Sequence, residues 1–190
     1  VSHYVKPDTA IDHEARKRGN STYLVDRVLP MLPEQLSNGI CSLVPGEDRL
    51  TRCAVMHFDR KGKMVRSRFE QAIIRSHCRL TYDDAQTVLD AGGEETGVVL
   101  NEIEALLNEC WALAGVLRRR RFSEGALDLD FPEVRMELDE LGRATGYRRN
   151  EYNESHQLIE EFMLVANEAV ARAVKNAMRP AIYRVHDDPD

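Results

Sequence analysis

Two long stretches of the chain repeat apolar residues at helical spacing. Ile103, Leu106, Leu107, Cys110, Trp111, Ala114 and Leu117 fall on one face of a helix expected from about Glu94 to Arg121. Ile159, Phe162, Met163, Ala166, Val170, Ala173 and Val174 do the same in a helix expected over about 153–178, with Asn153 or Ser155 as its cap. Elsewhere the period is two. Arg52 to Phe58 and Met64 to Ile74 read as strands joined by a charged turn, Asp59-Arg60-Lys61-Gly62-Lys63. Val134, Met136 and Leu138 alternate with charged residues, Gly142 turns the chain, and 144–148 returns. Val1 to Val5 reads as the end of a buried strand, and Ile182 to Val185 as the start of another. Asp8-Thr9 offers a cap to a short helix ending before Gly19. Thr81 or Asp83 offers one to a helix carrying Ala85, Val88 and Leu89 inward. These elements make one α+β domain, in which long amphipathic helices cover a twisted mixed sheet.

The segment from Gly19 to Arg52 fits neither period. Pro30 and Pro33 flank Met31-Leu32, and Asn38-Gly39 and Pro45-Gly46 are turn dipeptides. An ordered loop of this length packs on a core and often carries function.

Composition narrows the class. With 43% hydrophobic and 31% charged residues over 190 positions, the chain has the balance of a globular domain with a core of its own. No apolar run approaches the roughly 20 residues of a membrane span. The net charge of −6 disfavours polyanion binding over the whole surface, but not in a local basic channel. Cys41, Cys53, Cys78 and Cys110 are widely spaced and form no CxxC pair, so a zinc site is not expected. Reduced thiols and a cytoplasmic location are expected instead.

The irregular segment also carries a resemblance. STYxxxRVxPMLPExLSNGxCSLxPGxDRL looks like the RNB catalytic domain of the ribonuclease II and ribonuclease R exoribonucleases. VSHYVKPDTAIDHEARKRG before it is similar to the same family. SHCRLTYDDA at 76–85, HQLIEEFMLVAN at 156–167 and YRVHDDP at 183–189 match further blocks in the same order. The resemblance implies a 3′→5′ exoribonuclease that degrades single-stranded RNA processively to nucleoside 5′-monophosphates. This chain, residues 1–190, would be a single partial RNB domain within a longer protein that also holds cold-shock and S1-type RNA-binding domains.

By the same resemblance, Tyr23 stacks on the 3′-terminal base, and Tyr82 works with Glu160 in recognising the ribose. Those chemistries suit the residues. Every base has a π-face, a phenol donates to a sugar or phosphate oxygen, and a carboxylate accepts from a 2′-hydroxyl. In GALDLDFPE many relatives carry a stacking phenylalanine. The aligned residue is Leu129, with Phe131 two positions on and on the same strand face. Arg16 and Arg18 beside Tyr23 suit phosphate contact or an ordinary solvated helix end. The four arginines at 118–121 are expected to be such an end. Adjacent Glu160 and Glu161 point about 100° apart, so at least one lies at the edge of the core. The family's magnesium is held by aspartates expected before Val1, so no catalytic or metal-ligating residue is expected here and the chain alone is expected to be inactive. The rival expectation is a non-catalytic RNB homologue that binds RNA or protein.

Overall fold

The computed structural model describes residues 1–127, 134–149 and 152–183. It contains helices α1 (Ala10–Arg18), α2 (Tyr82–Asp90), α3 (Asn101–Ser123) and α4 (Glu154–Asn176). The strands are β1 (Thr22–Tyr23), β2 (Val28–Leu29), β3 (Asp48–Phe58), β4 (Met64–Arg75), β5 (Val134–Leu138) and β6 (Ala144–Arg149). The α+β class holds. Among the described residues the strands form three separate pairs, β1–β2, β3–β4 and β5–β6, rather than one continuous sheet. An isolated parallel bridge joins Pro45 to Ser76. The chain divides into two compact units. One comprises residues 1–51, 72–79 and 130–151, and the other residues 52–71, 80–129 and 152–190.

In the first unit, Thr9 caps α1 by accepting the Asp12 amide, and Gly19 ends it at φ 70°. Thr22 pairs with Leu29 and Tyr23 with Val28. Gln35–Ile40 is an irregular helical segment kinked at Gly39. In β5–β6, Val134 lies opposite Arg149 and a bulge falls at Glu137/Leu138. The strand expected at Val1–Val5 is absent. The Tyr4 and Val5 amides bond back to the Val1 carbonyl, which closes a turn, and the segment is exposed apart from half-buried Val5. No described residue of this unit is buried.

The second unit holds the core. Helices α2, α3 and α4 pack on one another. Val88 and Leu89 from α2, Ala114 and Leu117 from α3, and Leu158 and Ala169 from α4 are its buried apolar side chains. Thr81 starts α2 with a reciprocal capping box: its hydroxyl accepts the Asp84 amide and the Asp84 carboxylate accepts the Thr81 amide. The Thr81 hydroxyl also donates to Asp84 Oδ2 at 2.7 Å; that bond first, and the Thr81 amide after it, hold the Asp84 carboxyl below the usual carboxylate range. Helix α3 starts at Asn101, seven residues later than its apolar period suggests. Gly97 sits at φ 72°, and the Thr96 hydroxyl and amide donate to buried Glu104 at 2.5 and 3.0 Å. That bonding fixes an irregular lead-in and keeps the Glu104 carboxyl low.

Helix α4 departs further from its sequence pattern. Ile159, Met163 and Val170, assigned inward by periodicity, are exposed, and the buried positions are Ser155, Leu158, Glu161 and Ala169. Its cap differs too. Asn153 accepts from the Ser155 hydroxyl instead of a helix amide, and the Ser155 amide donates to Gln86 of α2 at 3.1 Å. Ile182 and Tyr183 are not in a strand; the rest of that expected element lies outside the described residues.

Candidate RNA-contacting site

The start of α4, the residue before its cap and the first residue of α2 gather three rings. Tyr82, the first residue of α2, stacks on His156 with centroids 3.8 Å apart and planes 15° apart. Tyr152 tilts against the same imidazole at 5.8 Å. The ring nitrogen Nδ1 of His156 lies 2.7 Å from the Asn153 side-chain oxygen, so the residue that opens α4 also fixes the imidazole. Tyr82 remains 46% exposed.

From this aromatic cluster the contacts lead to the glutamates. His156 and Glu160 are four residues apart and share a face of α4. The Tyr152 hydroxyl donates to Glu160 Oε2. Arg121 Nη2 donates to Glu160 Oε1 at 3.3 Å and to Glu161 Oε1 at 2.5 Å, and Arg121 Nε reaches Glu161 at 3.2 Å. Arg118 Nη1 lies 3.9 Å from Glu161. The two adjacent glutamates therefore split. Glu161 is buried, 2% exposed and neutralised by α3; Glu160, its side chain 39% exposed, sits at the rim. A carboxylate offers about four acceptor sites. Arg121 and Tyr152 occupy one on each oxygen of Glu160, leaving acceptor capacity toward solvent.

The structure thus brings Tyr82 and Glu160 together within the second unit, through His156 and Tyr152. Tyr23 lies in the first unit on β1 and is 80% exposed. Arg16 and Arg18 are engaged on α1: Arg16 with Asp12 at 3.1 Å, Arg18 with Glu14 at 3.0 Å and with the Pro30 carbonyl at 2.7 Å. Leu129 and Phe131 lie outside the described residues. Sequence reasoning did not single out His156, Tyr152 or the pairing role of Arg121. The first had a signal, the i,i+4 spacing of His156 to Glu160. The arginine run at 118–121 is not the plain solvated end expected, since Arg121 and Arg118 hold a buried charge.

The whole chain, residues 1–190, matches the model of the RNB domain. The chain belongs to the RNB family. It is 43% identical to Ribonuclease R of Thermotoga maritima, covering 100% of this chain and 27% of that protein. It is 38% identical to Ribonuclease R of Escherichia coli, covering 100% of this chain and 23% of that one. The RNB chain therefore spans about a quarter of the length of these curated relatives. Among solved structures, Mycoplasma genitalium RNase R in complex with ribose-methylated single-stranded RNA superposes with a TM-score of 0.88. Identity there is 32% over 99% of this chain and 29% of that one. Yeast Ssd1, a pseudonuclease, shares the fold at a TM-score of 0.67 and 18% identity, covering 94% of this chain and 21% of that one.

Among the described residues, no three His, Cys, Asp or Glu side chains converge into a set that holds a metal ion. These residues do not fit the magnesium that the resemblance implies. No helix among them is long and apolar enough to cross a membrane.

Proposed function

We propose that this chain is the sugar-recognising part of an RNB domain in a 3′→5′ exoribonuclease that releases nucleoside 5′-monophosphates processively from single-stranded RNA. The observation that carries the reading is the pairing of Tyr82 and Glu160 through His156 and Tyr152 in a chain whose relatives are Ribonuclease R. Glu160 accepts a hydrogen bond from the ribose 2′-hydroxyl, the group that separates RNA from DNA. Tyr82 donates its phenol to a sugar or phosphate oxygen. Arg121 and Tyr152 are positioning residues: they hold the Glu160 carboxylate in one orientation before the sugar arrives. Tyr23 supplies the stacking surface for the terminal base. By the family resemblance the magnesium ligands lie before Val1, and on that reading the isolated chain binds RNA without hydrolysing it.

The test is a pair of titrations, with an oligoadenylate and with the deoxy oligomer of the same length. Glu160→Gln should weaken RNA binding about tenfold and leave DNA binding nearly unchanged, as expected for one charge-assisted hydrogen bond. Equal losses for both sugars would refute the ribose role. Steady monophosphate release from labelled oligoadenylate and magnesium by the chain alone would refute its inactivity. A second reading, a non-catalytic RNB homologue that binds RNA or a protein, draws support from the fold shared with a pseudonuclease. It predicts that the longer protein carrying this chain also releases no monophosphate.

A further inference from the structure

A basic surface lies within the same unit, lined by residues other than those of the aromatic cluster. The turn between β3 and β4 sits on the C-terminal half of α3, and the two enclose a groove of about 670 Å³. That volume is within the range of small-ligand sites. Five cations line it: Arg60, Lys61 and Lys63 from the turn, Arg119 and Arg120 from the helix. Two carboxylates, Asp59 and Glu124, line it as well, and both are already engaged. Asp59 Oδ1 accepts the amides of Lys61 and Lys63 at 2.8 and 2.9 Å. Glu124 Oε1 accepts from Arg120 Nε at 2.9 Å. Among the described residues, no salt bridge engages the side chains of Arg60, Lys61, Lys63 or Arg119. A surplus of positive charge is thus concentrated in one groove on a chain whose net charge is −6.

The groove is built, not incidental. Arg120 Nη1 donates to the Gly62 carbonyl at 2.9 Å and ties the turn to α3. Gly62 is buried at φ 76°, where glycine is favoured, and a Cβ there would stand 3.1 Å from Val116 Cγ1, so the turn seats closely on α3. No aromatic ring lines the groove, so it offers nothing for a base to stack on. Five clustered cations against two carboxylates, without a stacking surface, suit phosphates, which position a nucleic acid without reading its sequence.

We propose that the Arg60–Lys63 turn and Arg119 form an accessory site for the phosphate backbone of RNA, separate from the Tyr82–Glu160 site. The proposal rests on the RNA reading above and adds a second contact to it. Each phosphate contact with a single strand contributes about 0.7 to the slope of log affinity against log salt. The test compares the chain with two variants on labelled oligoadenylate across a salt series. One is Arg60→Gln/Lys61→Gln/Lys63→Gln, which keeps Asp59 and Gly62. The other is Tyr82→Phe/Glu160→Gln. The turn variant should bind about tenfold more weakly at low salt, with a slope shallower by about 2, and should lose as much affinity for the deoxy oligomer. Arg119→Gln, a single change on a preformed helix, should flatten the slope by about 0.7; it serves where circular dichroism finds the triple variant misfolded. Unchanged affinity and slope in the turn variant and in Arg119→Gln would overturn the groove while leaving the sugar site standing. A loss confined to the turn variant, with Tyr82→Phe/Glu160→Gln binding normally, would support the groove and remove the sugar reading. A turn variant that keeps RNA but loses polyglutamate would overturn the proposal in favour of an acidic protein partner.

Discussion

Glu161 shows how one residue can reverse the reading of a helix face. A glutamate at that position reads as polar surface, yet its carboxylate is buried because Arg121, and Arg118 more distantly, reach it from α3. Removing one partner of such a pair leaves an uncompensated charge. Glu161→Ala should therefore cost about 3 kcal/mol in denaturant unfolding. Replacing Glu161 and Arg121 together by Leu and Met should cost clearly less than the sum of the single changes, because neither charge is then stranded. A simple sum would show that the pair is not coupled. Beside it, His156→Ala removes the surface on which Tyr82 stacks; about 1 kcal/mol of stability should go with it. In both cases the residue type was plain in the sequence and the partner was not. Glu161 lies 40 positions from Arg121, and Tyr82 lies 74 from His156.

At the scale of elements, the ends of α1 and the start of α2 were more legible than the faces of the long helices. Thr9, Gly19 and Thr81 act locally, within four residues, and each occupies the position its chemistry suits. Thr81→Ala should cost about 1 kcal/mol. The partner carboxylate adds a pH dependence with a definite sign. The folded-state pKa of Asp84 is depressed, so its contribution is present above the unfolded carboxylate value and is lost as pH falls through the lower folded value. Asp84→Ala should then be less stable than the parent chain at neutral pH, and the gap should close in acid; a gap that widens in acid would contradict the capping role. The β3–β4 turn makes a sharper demand. Gly62→Ala meets both the positive φ and the 3.1 Å approach to Val116, so about 2 kcal/mol or more should be lost, above the usual cost of a left-handed non-glycine residue. The faces of α3 and α4 were less readable. Leu106 and Met163 sit in their apolar stripes yet are exposed, since which stripe is covered depends on the neighbouring helix.

For the molecule, burial is uneven. Every buried described residue belongs to the second unit, and Tyr23, Leu24, Val25, Val28 and Leu29 of the first expose their side chains. Few buried contacts mean low local stability. Native-state hydrogen exchange should find the slowest amides in α2, α3 and α4, and fast exchange throughout α1 and β1–β2. Equal protection in the two units would show that the first has a core of its own.

The sequence alone determined the α+β class, the caps of α1 and the N-cap of α2, the glycine turn at 59–63 and, through its ordered family blocks, membership of the RNB family. These are local or linear properties: caps and turns are settled within a few residues, and motif order is read along the chain. Only tertiary structure decided which glutamate is buried, which arginines neutralise it, which ring supports Tyr82, and that the β3–β4 turn and α3 share a cationic groove. Each of those depends on groups 40 to 74 positions apart meeting in space, and periodicity along one element carries no information about what another element brings to it.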